Sequence, residues 1–277
     1  MSETILITGA AGGVGTLMRP RLRREGRVLR LLDVVTPPAV GAGEEVLTGS
    51  VTDPEAMAKA CAGADAVIHL GGHSREHTWA ETLEVNINGT RTVLAAAQAA
   101  GVSRVLLASS NHAVGFRPVS EAALGERDGL DGLPADSSPR PDTYYGVSKV
   151  AMEALGSLYH SRFGMDVIAI RIGSCFETPH VLGPRGLVTW LSPDDCARLF
   201  EACLSAPSPG YRLIWGVSDN TRRVYSLTEA RALGYAPKDD AERFAAEILA
   251  AGEPDPAVMA LVGGGFCTLP LGEPDSL

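Results

Sequence analysis

A tyrosine and a lysine lie four residues apart in the segment Tyr145-Gly-Val-Ser-Lys149. On a helix this spacing places the two side chains on the same face. A nearby ammonium favours the phenolate and lowers the tyrosine pKa from about 10 towards neutral pH, which allows the phenolate to take a proton from an alcohol. Such pairs are also common on ordinary helix surfaces. The position after the fifth predicted strand favours the catalytic interpretation.

A glycine-rich segment, Gly9-Ala-Ala-Gly12-Gly-Val-Gly15, follows the first predicted strand and opens the first predicted helix. This context is typical of a dinucleotide-binding loop: Gly9 makes the tight turn, Gly12 admits the pyrophosphate, and Gly15 packs helix on strand. Gly13 and Val14 belong to the helix N-terminus that faces the anion. The alternative is a glycine-rich turn without a ligand.

Two aspartates follow the next strands. Asp33 ends the second strand, 18 residues after Gly15, where a carboxylate accepts hydrogen bonds from an adenosine ribose and repels a 2′-phosphate. The alternative is that Asp33 caps the loop. Asp53 either meets the adenine amino group or caps the helix that begins at Pro54, and the sequence leaves both open.

Strand and helix patterns alternate along the first two thirds of the chain. Short apolar runs predict strands at 4–8, 28–33, 45–48, 66–70, 104–108 and 166–172. Helical spacing follows at 14–25, 54–61, 79–100 and 142–163. Strands joined by helices run parallel, and nearly continuous apolar strands are covered on both faces. The sequence therefore predicts an α/β fold with a doubly wound parallel sheet, the Rossmann fold.

The last hundred residues are less regular. They predict a helix that Ser192-Pro-Asp-Asp caps and that ends near residue 205, a strand at 211–215, and helices at 226–233 and 239–251. Long irregular stretches lie at 115–141 and 178–186. We expect one domain over 1–277, with a cofactor-binding and catalytic core at 1–175 and a small, mainly substrate-binding portion at 176–277.

The composition excludes several classes of protein. The 277 residues include 24 basic and 33 acidic side chains, and a net charge of −9 argues against nucleic acid or an anionic membrane as a partner. The first residues do not predict a signal sequence, and five dispersed cysteines without a Cys-x-x-Cys pair favour reduced thiols, so we expect a cytoplasmic protein. No metal site is predicted. A cluster of six arginines could indicate NADP as the cofactor. Because most of them lie on the first helix or just after it, we interpret them as a solvent-exposed face: Arg19, Arg21, Arg23, Arg24, Arg27 and Arg30.

The chain resembles the short-chain dehydrogenase/reductase superfamily. The resemblance rests on the glycine-rich segment, on Asp33, on Val85-Asn-Ile-Asn-Gly-Thr90 and on the Tyr145/Lys149 pair. Leu233-Gly-Tyr-x-Pro237 is similar to its extended, sugar-modifying branch. A narrower resemblance is to bacterial uronate dehydrogenases. It rests on His69-Leu-Gly-Gly-His-Ser74, Ala108-Ser-Ser-Asn-His112, Tyr145-Gly-Val-Ser-Lys149, Arg171-Ile-Gly-Ser-Cys175, Arg185 and Thr189-Trp190.

This resemblance implies roles for individual residues. Tyr145 would be the general base, Lys149 would position it and bind the nicotinamide ribose, and Ser110 would complete the catalytic group. Epimerases usually carry Ser or Thr where Asn111 stands, so the division of roles between Ser110 and Asn111 stays open. The sugar would be held by Ser74, Ser110, Asn111, His112, Tyr145 and Arg185. The remaining implied NAD contacts are Thr52, Asp53, Leu70, Gly71, Gly72, Ser174 and Cys175.

Structural alternatives accompany these roles. The side chains of Ser109-Ser-Asn-His112, after a strand, could instead hydrogen-bond to backbone groups in a turn. His112 alone could be a structural histidine in the core. Arg185 would also suit a solvated loop. We interpret His69, His73 and Arg171 as structural, and Cys175 as a backbone neighbour of the nicotinamide.

The resemblance implies NAD-dependent oxidation of the C1 hydroxyl of a free hexuronate, such as glucuronate or galacturonate, to an aldarolactone. The alternative enzyme is an extended-branch sugar epimerase or reductase, which usually carries a larger C-terminal region. A dinucleotide-sensing regulator is the non-enzymatic alternative, and the intact Tyr145/Lys149 pair argues against it. Relatives commonly pair through helices four and five, so we expect a homo-oligomer.

Overall fold

A computed structural model describes residues 3–37, 41–121 and 131–274. Its strands are β1 (Glu3–Thr8), β2 (Arg27–Asp33), β3 (Glu44–Thr48), β4 (Ala66–His69), β5 (Arg104–Ser110), β6 (Asp166–Ile172), β7 (Ser174–Cys175), β8 (Trp190–Leu191) and β9 (Tyr211–Gly216). Seven of them form one parallel sheet in the order β3-β2-β1-β4-β5-β6-β9. The predicted doubly wound sheet is confirmed.

The α-helices are α1 (Gly13–Leu22), α2 (Pro54–Cys61), α3 (Trp79–Glu81), α4 (Gly89–Ala99), α5 (Tyr144–Phe163), α6 (Gly186–Thr189), α7 (Pro193–Ser205), α8 (Thr228–Arg231), α9 (Ala245–Ala251) and α10 (Pro256–Met259). A π-helical stretch, Thr82–Asn88, joins α3 to α4. Short 3-10 helices lie at Asn111–Val114, Val119–Glu121, Pro179–Arg185, Ala241–Phe244 and Gly264–Thr268. No helix in the described ranges is long and apolar enough to cross a membrane.

Alternate residues of the central strands enter different hydrophobic clusters. Ile5 and Ile7 of β1 pack in the cluster that contains Met18 of α1 and Phe200 of α7. Leu6, which points to the other face, belongs to the cluster with Met57 of α2. Both faces of the sheet are therefore buried, which explains the nearly continuous apolar strands.

Because β1 lies between β2 and β4, the strand order reverses beside β1. In open α/β sheets, ligands bind outside the carboxyl ends of the strands at such a point. The residues that follow β1 and β4 therefore face the expected cofactor crevice. β5 runs two residues beyond its predicted end and pairs with β6 as far as Ser110, which places that serine at the same edge of the sheet.

Two predicted helices differ from the observed ones. The helix predicted over 79–100 contains the π-helical stretch, where Asn86 joins the loop after β4 to α5. The helix predicted from residue 142 begins at Tyr144, because the Thr143 hydroxyl caps it by accepting a hydrogen bond from Gly146 N–H at 3.1 Å. Part of the predicted irregular stretch, 122–130, lies outside the described residues.

The arginine cluster is only partly a solvated face, so that interpretation was wrong for two of its members. Arg19 is buried and pairs with Glu44 at 3.1 Å. Arg27 is buried and pairs with Glu3 at 2.8 Å and with Glu201 of α7. A buried guanidinium needs such partners because the charge has lost its water.

Candidate active site

The loop between β1 and α1, which we call the glycine loop (Gly9 to Gly15), leaves no room for side chains at two positions. Gly9 has φ +69°, and a Cβ there would lie 2.7 Å from the Gly71 nitrogen. A Cβ on Gly15 would lie 2.5 Å from the Gly9 carbonyl oxygen. Gly13 faces open space, and no side chain caps the helix at Gly12. The open helix N-terminus therefore suits an anion.

Asp33 caps this loop. Its Oδ2 accepts a hydrogen bond from Ala11 N–H at 2.9 Å, and its Oδ1 accepts one from Val35 N–H at 3.2 Å. The carboxylate is still partly exposed at the end of β2. The loop-capping alternative is therefore observed, and a ribose contact beside it stays a prediction.

Asp53 caps α2: its Oδ1 accepts hydrogen bonds from Glu55 N–H at 2.9 Å and Ala56 N–H at 3.3 Å. This is the structural role that the sequence left open, and contact with adenine stays a prediction. The neighbouring Thr52 is partly exposed, and its hydroxyl bonds to that of Ser50 at 2.8 Å.

The loop after β4 contains Leu70, Gly71, Gly72 and the exposed Ser74. Gly71 N–H donates to the Thr8 hydroxyl at 3.2 Å, which ties this loop to the end of β1. Asn86 accepts from His73 N–H at 2.7 Å, and its amide donates to the Ser148 hydroxyl of α5 at 3.0 Å. The sequence motif contains Asn86 without giving it a function; the structure shows that it braces this loop against the helix that bears Tyr145.

Tyr145 stands at the start of α5, near the hydroxyl group of Ser110 at the end of β5. A Cβ on Gly146 would lie 2.5 Å from the His112 carbonyl oxygen, so this glycine lets the helix approach the strand end. Burial raises the pKa of Tyr145 to about 12, the Ser110 hydrogen bond opposes that shift, and the negative charge of Asp142 adds to it. The direction is opposite to the one that the lysine alone predicted.

Lys149 lies one turn further along α5, as the spacing predicted. Its Nζ is 5.2 Å from the centroid of the Tyr145 ring and donates to the Ala108 carbonyl at 2.7 Å. Burial lowers the pKa of Lys149 to about 8, and the nearby Glu153 carboxylate opposes this shift. The ammonium group of Lys149 therefore lies against the Tyr145 ring.

His112 lies between two aromatic rings. Its centroid is 4.0 Å from that of Phe266, with the rings nearly stacked, and 5.7 Å from that of Tyr145. Its Nδ1 lies 2.6 Å from Oδ2 of the buried Asp142. Neither Phe266 nor Asp142 was identified from the sequence; the only available signals were a glycine triplet before Phe266 and an acid three residues before Tyr145.

Asn111 and Arg185 meet at one carbonyl group. Asn111 Nδ2 donates to the Val262 carbonyl at 3.0 Å, and Arg185 Nη2 donates to the same oxygen. Arg185 also packs against Gly264, where a Cβ would lie 2.6 Å from its Nη1. Arg185 is therefore not a solvated loop residue but belongs with Asn111. We call Ser110, Asn111, His112, Tyr145 and Arg185 the polar cluster.

Arg171, Ser174 and Cys175, which the sequence motifs also contain, are buried. Arg171 forms a two-bond ion pair with Glu153, at 2.8 and 2.7 Å, as its structural interpretation predicted. The Ser174 hydroxyl bonds to that of Thr189 at 2.8 Å, and Cys175 is buried in the β7/β8 pair. In the described part of the chain, no group of three or more His, Cys, Asp or Glu side chains is arranged to hold a metal ion.

His69 is buried between two threonine hydroxyls. Its Nδ1 lies 2.8 Å from Thr8 Oγ1 and its Nε2 lies 3.1 Å from Thr90 Oγ1. Burial, with a smaller contribution from the charge of Lys149, lowers the pKa of His69 to about 3. This histidine is structural, as predicted.

Residues 5–210 match the model of the NAD dependent epimerase/dehydratase family. Uronate dehydrogenase of Pseudomonas putida is 42% identical over 95% of this chain and 94% of its own. NAD-dependent glucose-6-phosphate dehydrogenase of Haloferax volcanii is 39% identical over 92% and 98%. The crystal structure of a uronate dehydrogenase variant from Agrobacterium tumefaciens, complexed with NAD, has a TM-score of 0.88 at 36% identity and covers 98% of both chains. The resemblance to uronate dehydrogenases is confirmed.

Proposed function

The chain belongs to the NAD dependent epimerase/dehydratase family, and we propose that it oxidises the C1 hydroxyl of free hexuronates, such as glucuronate and galacturonate, to aldarolactones with NAD. The observation that carries this proposal is the polar cluster. In this cluster, neutral hydrogen-bonding side chains lie near Tyr145, and the cluster contains a single guanidinium, that of Arg185. A uronate needs both, since it presents ring hydroxyls and one carboxylate.

The glycine loop fits the pyrophosphate of NAD. Its helix N-terminus is open at Gly12 and Gly13, and Asp33 stands at the end of β2 for the ribose. In this proposal Leu70, Gly71, Gly72, Ser174 and Cys175 line the remainder of the cofactor crevice. NAD, when bound, would accept the hydride from C1, and its positive charge would favour the phenolate form of Tyr145.

Tyr145 receives the proton of the C1 hydroxyl, so that the C1–O bond becomes the lactone carbonyl. Ser110, whose hydroxyl group lies near Tyr145, holds the C1 hydroxyl in line for that transfer. Lys149 stabilises the phenolate and binds the nicotinamide ribose from its position beneath the ring. Asn111 Nδ2 donates to the Val262 carbonyl at 3.0 Å, and Asn111 Oδ1 accepts from the Ser110 hydroxyl at 3.2 Å. In this proposal Asn111 therefore positions Ser110, which supplies the alcohol-binding hydroxyl.

Arg185 binds the C6 carboxylate. Its guanidinium has five N–H donors, so the bonds to the Leu261 and Val262 carbonyls leave others for a ligand. A planar guanidinium can bind a carboxylate with two parallel hydrogen bonds. Ser74, exposed on the loop after β4, would contact a ring hydroxyl.

NADH formation with a panel of sugars tests the proposal. The panel contains glucuronate, galacturonate, the matched neutral hexoses, glucose 6-phosphate and a nucleotide-linked glucose. We expect the highest kcat/KM with the free uronates. Preference for a neutral hexose or for the sugar phosphate would contradict the uronate assignment, and activity on the nucleotide-linked sugar alone would favour the epimerase-like alternative.

Three further expectations stay predictions. A cytoplasmic location is supported by five cysteines that are all free. Homo-oligomer formation through the helices after β4 and β5 is supported by exposed apolar side chains there, including Leu83, Leu158 and Phe163. The division into portions 1–175 and 176–277 stays a prediction, and β9 of the second portion pairs with β6 at the edge of the main sheet.

A further inference from the structure

Asp142 is a buried carboxylate in a space that glycines leave open. A Cβ on Gly115 would lie 1.9 Å from its Oδ2, and one on Gly263 would lie 2.0 Å from the same atom. Its side chain has no exposed surface. The carboxylate therefore occupies a volume that any side chain at either glycine would fill.

The hydrogen bonds around Asp142 have defined directions. The Thr143 hydroxyl accepts from Gly146 N–H at 3.1 Å, and its own proton goes to Asp142 Oδ1 at 3.0 Å. Oδ2 lies 2.6 Å from His112 Nδ1. Because an ionised carboxylate can only accept, His112 must donate from Nδ1.

We propose that Asp142 is a positioning residue which fixes the His112 ring proton on Nδ1, so that Nε2 accepts a hydrogen bond from a hydroxyl group of the sugar. The Nδ1 side of the ring faces the buried carboxylate, and 13% of the His112 side chain stays exposed. Stacking on Phe266 holds the ring plane. His112 then recognises a hydroxyl, while the carboxylate is left to Arg185.

This inference rests on the proposed function only for the nature of the ligand, because the proton position is a property of the protein alone. The ¹⁵N NMR spectrum of the histidine rings distinguishes the two neutral tautomers and the doubly protonated ring. In the 277-residue chain, with the His112 signals identified by their loss in His112→Gln, we expect a proton on Nδ1 and no proton on Nε2. A proton on Nε2, or on both nitrogens, would overturn the proposal.

Asp142→Asn provides the second measurement. Thr143 requires an acceptor at the Oδ1 position, so the amide oxygen takes that position and the NH₂ group faces His112 Nδ1. The ring proton should then move to Nε2, which turns an acceptor into a donor. We expect KM for uronate to rise about ten-fold with a smaller change in kcat and with KM for NAD within about two-fold of the wild type.

Glu76→Gln is the matched control. Glu76, in the loop after β4, is also a buried carboxylate. Within the described residues it accepts from the backbone N–H groups of Tyr144 and Tyr145, at the start of α5, and of Gly272. It should leave the His112 ¹⁵N shifts at their wild-type values. Equal changes in both variants would count against a specific role for Asp142, and a wild-type protein without uronate activity would defeat the proposed function while the NMR result still stood.

Discussion

The glycine loop comes from one stretch of seven residues, whereas the polar cluster with its supporting groups comes from four separate stretches at 110–112, 142–149, 185 and 261–266. The loop is shaped by backbone geometry: Gly9 and Gly15 are needed because a side chain would strike neighbouring backbone. The polar cluster is shaped by side-chain hydrogen bonds, such as that of Asn111 to a carbonyl 151 residues away. Changes in the two regions should therefore affect different kinetic parameters.

The largest effect is expected at Tyr145 of the polar cluster. Tyr145→Phe removes the proton acceptor but keeps the ring beside His112 and Lys149. Loss of a general base typically lowers kcat by about 100- to 10,000-fold. NADH affinity, measured by fluorescence titration, should be nearly unchanged. A variant that keeps about a third of wild-type kcat would remove Tyr145 from the mechanism.

Arg185→Ala tests the polar cluster alone. A charged hydrogen bond contributes about 1.5–3 kcal/mol, so kcat/KM for uronate should fall roughly ten- to a hundred-fold. Oxidation of the matched neutral hexose and KM for NAD should change much less. Arg185→Lys should recover only part of the loss, because the fork geometry is missing. Equal losses on both sugars would mean that Arg185 chiefly supports the 261–266 segment through its bonds to Leu261 and Val262.

Gly15→Ala and Gly13→Ala form a matched pair in the glycine loop. A Cβ at Gly15 lies 2.5 Å from a backbone oxygen, so the loop must move, whereas a Cβ at Gly13 meets nothing within 4 Å. We expect KM for NAD to rise about ten-fold, equivalent to 1.4 kcal/mol, in Gly15→Ala. Gly13→Ala should raise it far less. If KM for uronate rose as strongly as KM for NAD, the two regions would not be independent.

Asp33→Ala and Asp33→Asn test cofactor choice. Two like charges about 4 Å apart in water repel by about 1 kcal/mol, so removal of this charge should reduce the preference for NAD over NADP by about five-fold. Asn keeps one acceptor for the Ala11 N–H group, and it separates the loss of charge from the loss of the loop cap. Ratios of kcat/KM for the two cofactors give the result, and an unchanged ratio in both variants would contradict the assignment.

The last prediction concerns the free energy of unfolding rather than the kinetics of either region. An unfolded chain protonates histidine near pH 6.5, but native His69 has a pKa of about 3, so the unfolded state binds more protons between these values. Stability should therefore fall as the pH drops through this window, by up to about 1.4 kcal/mol per pH unit. His69→Asn should be less stable near neutral pH but should lose stability less steeply on acidification. Urea midpoints across the window measure the two slopes, and parallel slopes would show that His69 does not contribute.

Local sequence determined the sheet, the glycine loop and the spacing of Tyr145 and Lys149, because periodicity, glycine geometry and i,i+4 placement act within a few residues. Resemblance of the sequence motifs to a known family also identified Ser110, Asn111, His112 and Arg185 as candidate site residues. Tertiary structure alone decided which groups support them. Asp142 meets His112 across 30 residues, Arg185 reaches Val262 across 77, and burial reverses the expected pKa shift of Tyr145. These outcomes depend on desolvation and on contacts that form only when distant segments pack, and neither leaves a periodic signal in the sequence.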